Sequence, residues 1–197
     1  TITASGPLDF CAGGSVLLSA NGAGTYAWTN GSTASSVLVS SSGSHELTIT
    51  GSNGCSTTSA PAVVTVTPMP VVDAISGSNT VCEGATTTMT NLTPSGVWSS
   101  SNTAVATIDA AGDVTGVSSG TVVVSYTVTT NGCSTTVNKN LSVQAAPTTA
   151  ITASGPTTFC DGGSVVLTAA NGTAFAWSNA SSSQTIAVTQ SGTYSVA

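Results

Sequence analysis

One nine-residue stretch occurs twice in this chain, and a looser copy lies between the two. It runs from Phe10 to Leu18 (FCAGGSVLL), from Phe159 to Leu167 (FCDGGSVVL) and, more loosely, from Val81 to Met89 (VCEGATTTM). A Cys-x-Gly step followed by a run of alternating residues opens three units, which is typical of a tandem-repeat protein. This repeat is the strongest constraint on how the chain folds.

Between these markers, Thr, Val and Ser alternate, and clusters of Gly, Asn and Ser interrupt the alternation. The alternation favours strands and the clusters favour turns, whereas no segment shows sustained helical periodicity. We therefore predict an all-β chain whose short, regularly spaced strands form β-sandwiches. The predicted strands are Ile2–Ala4, Ser15–Ala20, Tyr26–Thr29, Val37–Val39, His45–Thr50, Val63–Val66, Val97–Ser100, Val114–Val117 and Val122–Val128.

Two proline-containing linkers divide the chain into three predicted units: unit one (1–68), unit two (69–146) and unit three (147–197). The linkers Pro68–Pro70 and Ala145–Pro147 are short and semi-rigid, so neighbouring units should lie end to end. Unit three copies unit one at a constant offset of 149 residues, with 21 of the 48 overlapping positions identical. We expect a fragment of a longer exported chain, in which unit three lacks its last strands.

Charge excludes several classes of function. The chain has one basic residue, Lys139, against seven acidic ones, giving a net charge of −6. A phosphate backbone or an anionic membrane surface requires a basic patch, so we predict neither nucleic-acid binding nor membrane association. No apolar run reaches the 18 or so residues that a membrane span needs, so we predict no insertion in a bilayer.

The acidic residues and the single histidine suggest two candidate sites, and a structural role is favoured for both. His45 with Glu46 and Asp9 resembles a catalytic cluster in composition, but no Ser-His-Asp arrangement recurs between the units. Asp109 and Asp113 could bind calcium, which prefers six to eight oxygen ligands, whereas two carboxylates flanking a turn favour a hairpin. We predict no catalytic, metal or cofactor-binding residue.

Each unit has one tryptophan about 16–17 residues after its Cys-x-Gly step. Trp28, Trp98 and Trp177 could stack on sugars, but their regular position favours a place in the core of each sandwich. Tyr26 and Phe175 are then the better candidates for exposed aromatic residues.

Units one and three resemble immunoglobulin-like (Ig-like) domains. The resemblance is carried by Gly13-Gly14-Ser15-Val16, by Trp28 and by the Ser-Gly-Thr-Tyr of residues 191–194, which in that family mark strands B, C and F. The two core cysteines of the family would fall at Ala20 with Leu47 and at Ala169 with Val196. Apolar residues occupy these places here.

Unit two resembles the bacterial Ig-like group of intimin- and invasin-type surface proteins, through residues 98–102, 105–109, 112–117 and 120–121. Units one and three are also similar to the cysteine-containing repeats of very large Bacteroidota cell-surface proteins. That group includes gliding-motility adhesins and other cargo of the type IX secretion pathway. The resemblance implies tandem Ig-like sandwiches on a bacterial cell surface.

The five cysteines favour disulfides over a zinc site, because none forms a Cys-x-x-Cys pair and His45 is the only histidine. Distant, regular cysteines in a chain of this composition indicate an oxidising, extracellular place. Lysine–asparagine cross-links need a lysine in every unit, and only Lys139 is present. Disulfides are therefore the predicted covalent links.

Two pairings of the cysteines remain open. One places a bridge inside each unit, Cys11 with Cys55 and Cys82 with Cys133. The Ig strand order would put Cys11 and Cys55 at opposite ends of a sandwich, where strands span roughly 20 Å, whereas a disulfide needs Cα atoms within about 7 Å. The preferred pairing is therefore between units: Cys11 with Cys133, while Cys55, Cys82 and Cys160 find partners outside this sequence.

These observations predict a structural segment, namely a stalk, rod or filament that projects the distal region of a bacterial adhesin. Its partners would be the neighbouring Ig-like domains of the same chain, other chains through lateral association, and a glycan or cell surface at a distal tip. The alternatives are a module that itself binds glycans or cells, and a spacer in a secreted multidomain enzyme. In each case we predict that the segment is not itself an enzyme and needs no cofactor.

Overall fold

A computed structural model describes residues 1–148 and 150–197. Thr149, inside predicted unit three, lies outside the described residues. All regular secondary structure in the described part of the chain is β, which confirms the predicted fold class. Correspondingly, no helix that could cross a membrane is found there.

Nine short strands form the first part of the chain. They are β1 (Ile2–Ala4), β2 (Asp9–Cys11), β3 (Val16–Ala20), β4 (Thr25–Trp28), β5 (Ser36–Val39), β6 (Gly43–His45), β7 (Leu47–Thr50), β8 (Ser56–Thr58) and β9 (Ala62–Thr67). One sheet has the order β1-β3-β5, and the opposing strands are ordered β2-β9-β6 and β4-β7-β8. Alternate residues of both layers point inward and form the first hydrophobic cluster, between Ile2 and Val66.

The predicted strand His45–Thr50 is divided in the structure into β6 and β7. Glu46 separates them, and its carbonyl oxygen accepts a hydrogen bond from the Thr29 N–H at 3.1 Å. Opposite this break lies Pro61, between β8 and β9, which has no N–H to donate to a neighbouring strand. Next to this break, the Ser59 hydroxyl accepts the Leu47 N–H at 3.1 Å.

Seven strands form the second part: β10 (Thr80–Cys82), β11 (Thr86–Thr88), β12 (Val97–Ser100), β13 (Ala106–Ile108), β14 (Asp113–Gly116), β15 (Gly120–Thr130) and β16 (Cys133–Gln144). Their sheets have the orders β10-β16-β15-β12 and β11-β14-β13. The hairpin β15–β16 is continuous, pairing Gly120 with Val143 at one end and Thr130 with Cys133 at the other. Between the sheets lies a second hydrophobic cluster, which includes Met89, Val124 and Leu141.

Three strands form the third part: β17 (Ile151–Ala153), β18 (Val165–Ala169) and β19 (Thr185–Val188), in the order β17-β18-β19. This sheet repeats β1-β3-β5 at the offset of 149, since Ile151 pairs with Ala169 as Ile2 pairs with Ala20. A third hydrophobic cluster lies on it, including Val165, Trp177 and Val188. Each cluster falls inside one predicted unit, and as domain boundaries the ranges 1–68, 69–146 and 147–197 remain predictions.

Candidate functional site

Cys11 ends a short strand that the sequence did not predict. After β1, the chain leaves the β1-β3-β5 sheet and enters the β2-β9-β6 sheet. There β2 pairs in parallel with β9, and Cys11 lies opposite Thr67. The chain then leaves through a turn, in which the Gly14 N–H donates to the Cys11 carbonyl at 3.0 Å and Gly13 has a φ of +93°. Cys11 is thereby placed at the end of unit one from which the linker departs.

Cys133 is placed by the tip of the β15–β16 hairpin. Asn131 and Gly132 both have positive φ angles, 51° and 82°. Two such residues form the tight turn that matches the twist of a hairpin. Cys133 follows this turn as the first residue of β16 and is buried, with 2% of its surface exposed.

Cys11 and Cys133 form a disulfide whose Cα atoms lie 5.6 Å apart and whose residues are 122 positions apart in the chain. Around it, the Cys133 Sγ lies 3.9 Å from the Thr67 carbonyl oxygen and the Cys11 Sγ lies 4.0 Å from the Gly132 carbonyl oxygen. The hairpin tip of unit two therefore contacts the strand ends of unit one. We call these four residues, Cys11, Thr67, Gly132 and Cys133, the joint.

The alternative pairs, Cys11 with Cys55 and Cys82 with Cys133, are not formed. Cys55 precedes β8, whereas Cys11 lies opposite the last residue of β9. The segment from β8 to the end of β9, residues 56–67, consists mostly of extended strand. At about 3.3 Å per residue its two ends are far too distant for a disulfide.

The three remaining cysteines, Cys55, Cys82 and Cys160, are free and exposed. We expect a thiol reagent to modify three cysteines per native chain, and five after reduction and unfolding. Mass spectrometry of the alkylated chain gives this count directly. Modification of Cys11 or Cys133 in the native, unreduced chain would contradict the joint described here.

Glu83 closes the corresponding end of unit two. Its N–H donates to the Gln144 carbonyl at 2.9 Å, as the Ala12 N–H donates to the Thr67 carbonyl at 2.8 Å in unit one. The Glu83 carboxylate also accepts the backbone N–H groups of Ser119 and Ala146. These hydrogen bonds, Ser119 first, lower the pKa of Glu83 below its usual value.

A carboxyl with a lowered pKa stabilises the folded state above its unfolded pKa, and this contribution is lost as the pH falls through the folded value. We therefore expect the amides of Ser119 and Ala146 to lose protection from hydrogen exchange as the pH falls below the ordinary glutamate pKa. Glu83→Gln should show the lower protection already at neutral pH, with a much weaker pH dependence. Equal protection in both chains at neutral pH would contradict this role.

The other candidate residues have structural roles. The Asp109 carboxylate accepts the N–H groups of Ala111 and Asp113, both at 2.9 Å, and so forms the hairpin turn. No group of three or more metal-ligating side chains occurs within residues 1–148 and 150–197. Strand β9 lies between β2, which carries Asp9, and β6, which carries His45, so these two residues are not neighbours in the sheet.

The tryptophans differ in burial. Trp28 and Trp177 are each 4% exposed, and their Nε1–H groups donate to the carbonyls of Ala34 and Ser183 at 2.8 and 2.7 Å. Trp98 is only half-buried and packs on Tyr126, with ring centroids 4.6 Å apart.

The prediction that Tyr26 and Phe175 are exposed is wrong. Both side chains are half-buried, because they pack against the first and third hydrophobic clusters. The Tyr26 hydroxyl is also engaged, donating to the Gly22 carbonyl at 2.9 Å.

Residues 62–139 match the family described as bacterial Ig-like domain (group 2). The match begins in β9 and ends in β16, and it confirms the predicted resemblance for the middle of the chain. No curated protein sequence matches the chain significantly.

Among solved structures, the chain is similar to murine CEACAM1b, with 14% identity, a TM-score of 0.35 and coverage of 74% of this chain and 99% of that one. It is similar to domains 1–6 of the surface layer protein SbsC, with 18% identity, a TM-score of 0.30 and coverage of 82% and 24%. It is also similar to a C-terminal fragment of intimin, solved with the intimin-binding domain of its translocated receptor. That match has 13% identity, a TM-score of 0.32 and coverage of 78% and 66%. The chain therefore spans about a quarter of the SbsC fragment and just under two thirds of the intimin fragment.

The sequence repeat identified Cys11. It did not identify Thr67 and Glu83, which form hydrogen bonds at the corresponding ends of units one and two. Glu83 was not singled out, although it follows Cys82 directly and Asp161 follows Cys160. The recurrence of an acidic residue after the cysteine in two units was the available signal. Thr67 carried no signal, since its role depends on the parallel pairing of β2 with β9.

Proposed function

We propose that this chain is a repeat segment of the stalk of an extracellular bacterial surface adhesin. In this proposal, three tandem Ig-like units with boundaries 1–68, 69–146 and 147–197 lie end to end and hold a distal adhesive region away from the cell. The observation that carries the proposal is the joint, in which Cys11 of one unit meets Cys133 of the next. A covalent link between successive sandwiches suits a protein that bears tension.

The mechanism is mechanical. A pulling force applied at the two ends of the chain passes through the Cys11–Cys133 bond rather than through the 121 residues between them. Residues 12–132, which hold most of units one and two, are therefore protected from extension while the bond is intact. The burial of Cys133 supports this role, because a buried disulfide is less accessible to reductants than an exposed one.

The same joint is proposed to recur along a longer array. Cys55 and Cys133 follow the same Asn-Gly turn, and Cys82 and Cys160 share the Cys-x-Gly step of Cys11. We assign Cys55 to a bond with a preceding unit, and Cys82 and Cys160 to bonds with following units. The exposure of these three thiols supports the assignment, since each is accessible to a partner.

The remaining parts of the proposal concern partners and place. Leu17 and Leu38 are cross-strand neighbours on an outer sheet face and are 38% and 69% exposed, which supports lateral association into a filament. The distal tip of the parent protein would contact a glycan or another cell. The disulfide and the bacterial Ig-like match support a bacterial cell-surface location, and the cysteine-containing repeats favour a Bacteroidota origin and a role in gliding motility. In this role the segment performs no catalysis.

Electron microscopy of the intact parent protein before and after reduction tests the proposal. We expect straight rods of uniform length, which bend more freely once the disulfides are reduced. Chains that are equally bent in both states would contradict the stalk. Binding of this chain alone to a glycan array would instead favour the alternative, in which the repeats themselves are the adhesive modules.

A further inference from the structure

Strand β16 of unit two is paired unequally on its two sides. On one side it pairs with β15 from Cys133 to Val143, whereas on the other side only Ser142–Gln144 are paired, with β10. The next strand along the chain, β17, pairs with β18 in unit three and does not cover β16. Residues 134–140 are therefore an open sheet edge within the part of the chain that the structure describes. We call residues 134–140 the β16 edge.

The backbone groups that face outward at this edge follow from those that already bond on the same side. The Ser142 N–H donates to the Asn79 carbonyl at 2.8 Å, and the Gln144 carbonyl accepts the Glu83 N–H at 2.9 Å. The direction of these groups alternates along a strand, and the β15–β16 register runs without interruption. Every second residue of the β16 edge thus directs its N–H and C=O away from β15, namely Ser134, Thr136, Asn138 and Asn140.

The β16 edge is held in an extended conformation before any partner binds. One end adjoins Cys133 in the joint, and the other end adjoins the residues that pair with β10. Between these ends, side chains form cross-strand hydrogen bonds of 2.7–2.8 Å in the pairs Ser134–Thr129, Thr136–Thr127 and Asn138–Ser125. A strand that is already ordered loses little conformational entropy when a second strand pairs with it.

Most of the devices that block sheet edges in proteins are absent from β16. Such edges commonly carry prolines, bulges or several charges. β16 contains no proline, and its single charged residue is Lys139. Lys139 lies opposite the completely buried Val124, so its side chain leaves the strand on the core side of the sheet. The β16 edge is therefore open to strand pairing, and Lys139 restricts the registers that are possible.

We propose that the β16 edge is a homodimer interface, and that its partner is the same edge of a second copy of this chain, running antiparallel. A two-fold axis at Val137 places Ser134 opposite Asn140 and Thr136 opposite Asn138. All four outward-facing residues then form hydrogen-bonded pairs, which exchange about eight main-chain hydrogen bonds between the copies. Val137 faces its own counterpart, so that two apolar side chains meet at the axis.

Lys139 selects this register over the alternatives. With the axis at Val137, Lys139 lies opposite Thr135 of the second copy, and the two lysines are four residues, or about 14 Å, apart along the strands. Salt screens exposed charges at that separation. A parallel in-register pair, or an axis at Lys139, places the two ammonium groups side by side, which is destabilising. An axis at Thr136 or Asn138 leaves one outward-facing residue of each copy unpaired.

The two copies run in opposite directions because their paired strands do. In the proposed stalk, on which this step rests, the contact joins chains from facing cells rather than neighbours on one cell. Dimerisation and the stalk are separable, since the isolated chain can fail to dimerise while the parent protein still forms straight rods. An interface of one strand pair is small, so we expect a weak and reversible dimer.

Sedimentation velocity of the full chain tests the interface, in a C55S/C82S/C160S background where the exposed thiols cannot link two copies. We expect a reversible dimer with a Kd between about 1 and 300 µM. Thr136→Pro removes an outward N–H that makes no bond to β15, and should weaken dimerisation at least about tenfold. Thr136→Ala retains this N–H and is the matched control, so its Kd should stay within about threefold.

Two results would overturn the proposal. One is a chain that stays monomeric up to about 500 µM, well above the expected Kd. The other is a dimer that is equally stable in Thr136→Pro, which would assign the association to another sheet edge or to the Leu17–Leu38 face. Circular dichroism of each variant shows whether its strands are still formed.

Disulfide trapping tests the register without the proline variant. In the same background, Val137→Cys places two thiols opposite each other in a non-hydrogen-bonded pair, whose Cα atoms lie about 4.5 Å apart and can be bridged. Thr135→Cys is the matched control, because Thr135 is half-buried as Val137 is, yet its two copies lie about 14 Å apart. We expect Val137→Cys to form the cross-linked dimer at least about fivefold faster under mild oxidation. Equal rates, or a faster Thr135→Cys, would contradict the two-fold axis at Val137.

Discussion

Reduction of the Cys11–Cys133 disulfide is expected to add about 400 Å to the length of chain that can be extended by force. The bond removes 121 residues from the path of the force, and an extended residue spans about 3.3–3.6 Å. Single-molecule force spectroscopy with handles at Thr1 and Ala197 measures this length. With the bond intact, only residues 1–11 and 133–197 can be drawn out.

The double variant C11S/C133S is expected to extend fully without reductant. The triple variant C55S/C82S/C160S is the matched control, because it removes the three free thiols and leaves the joint intact. It should behave as the unmodified chain does. If the extended length is the same with and without reductant, the bond does not shield units one and two.

The same bond should raise the free energy of unfolding. A crosslink across 122 residues limits the entropy of the unfolded chain and contributes about 5 kcal/mol in the loop-closure estimate. Urea denaturation of the variant with all five cysteines replaced by serine, compared with the triple variant, measures this contribution with the other three positions held the same. A difference below about 1 kcal/mol would indicate that the joint stabilises the folded units very little.

Leu18→Ala is expected to destabilise unit one by about 2–5 kcal/mol, because it leaves a cavity in a tightly packed core. Leu18 is completely buried and belongs to the first hydrophobic cluster. Leu38→Ala, on the neighbouring strand of the same sheet, is the matched control. Leu38 is 69% exposed, so its removal should change the free energy of unfolding by less than about 0.5 kcal/mol.

Hydrogen exchange measured peptide by peptide shows which unit is affected. We expect faster exchange in peptides from β1 to β9 of Leu18→Ala and unchanged exchange in β11 to β15. The equivalent change in unit three, Leu167→Ala, should cost less in this chain, since Leu167 is already partly exposed. Equal losses at Leu18 and Leu38 would contradict the assigned orientation of the β1-β3-β5 sheet.

The sequence alone predicted the strands that are determined by residues close together in the chain. Alternating residues and turn residues predicted strands such as β3 and β15, and the offset of 149 predicted a third unit that copies the first. The structure repeats even the register of that copy, with Val165 opposite Val188 as Val16 is opposite Val39.

Elements that depend on distant partners could not be predicted. β2 and β10 have three residues each, and each pairs in parallel with a strand more than 50 residues away. Three residues are too few to establish a periodicity. The break at Glu46 is similar, because it reflects Pro61 on the opposing edge rather than anything within the strand itself.

The sequence predicted which aromatic residues were candidates for the core or the surface. It did not predict how deeply their side chains are buried. The spacing of the tryptophans placed all three at one position of the repeat, yet Trp98 is half-buried and packs on Tyr126, whereas Trp28 and Trp177 are each 4% exposed. Tyr26 and Phe175 were predicted to be exposed because the regular spacing of the tryptophans assigned those residues, and not these two, to the core. Burial of a ring depends on the packing of both layers, which the local sequence does not contain.

Peptide mapping of the unreduced chain tests the central claim, that Cys11 of unit one is bonded to Cys133 of unit two. Free thiols are first blocked, and cleavage before aspartate and after glutamate then separates Cys11, in residues 9–46, from Cys55, in residues 47–72. We predict a disulfide-linked pair consisting of 9–46 and 113–160, with Cys55, Cys82 and Cys160 carrying the blocking group. A linked pair consisting of 9–46 and 47–72 would show a bond inside unit one and would contradict the account.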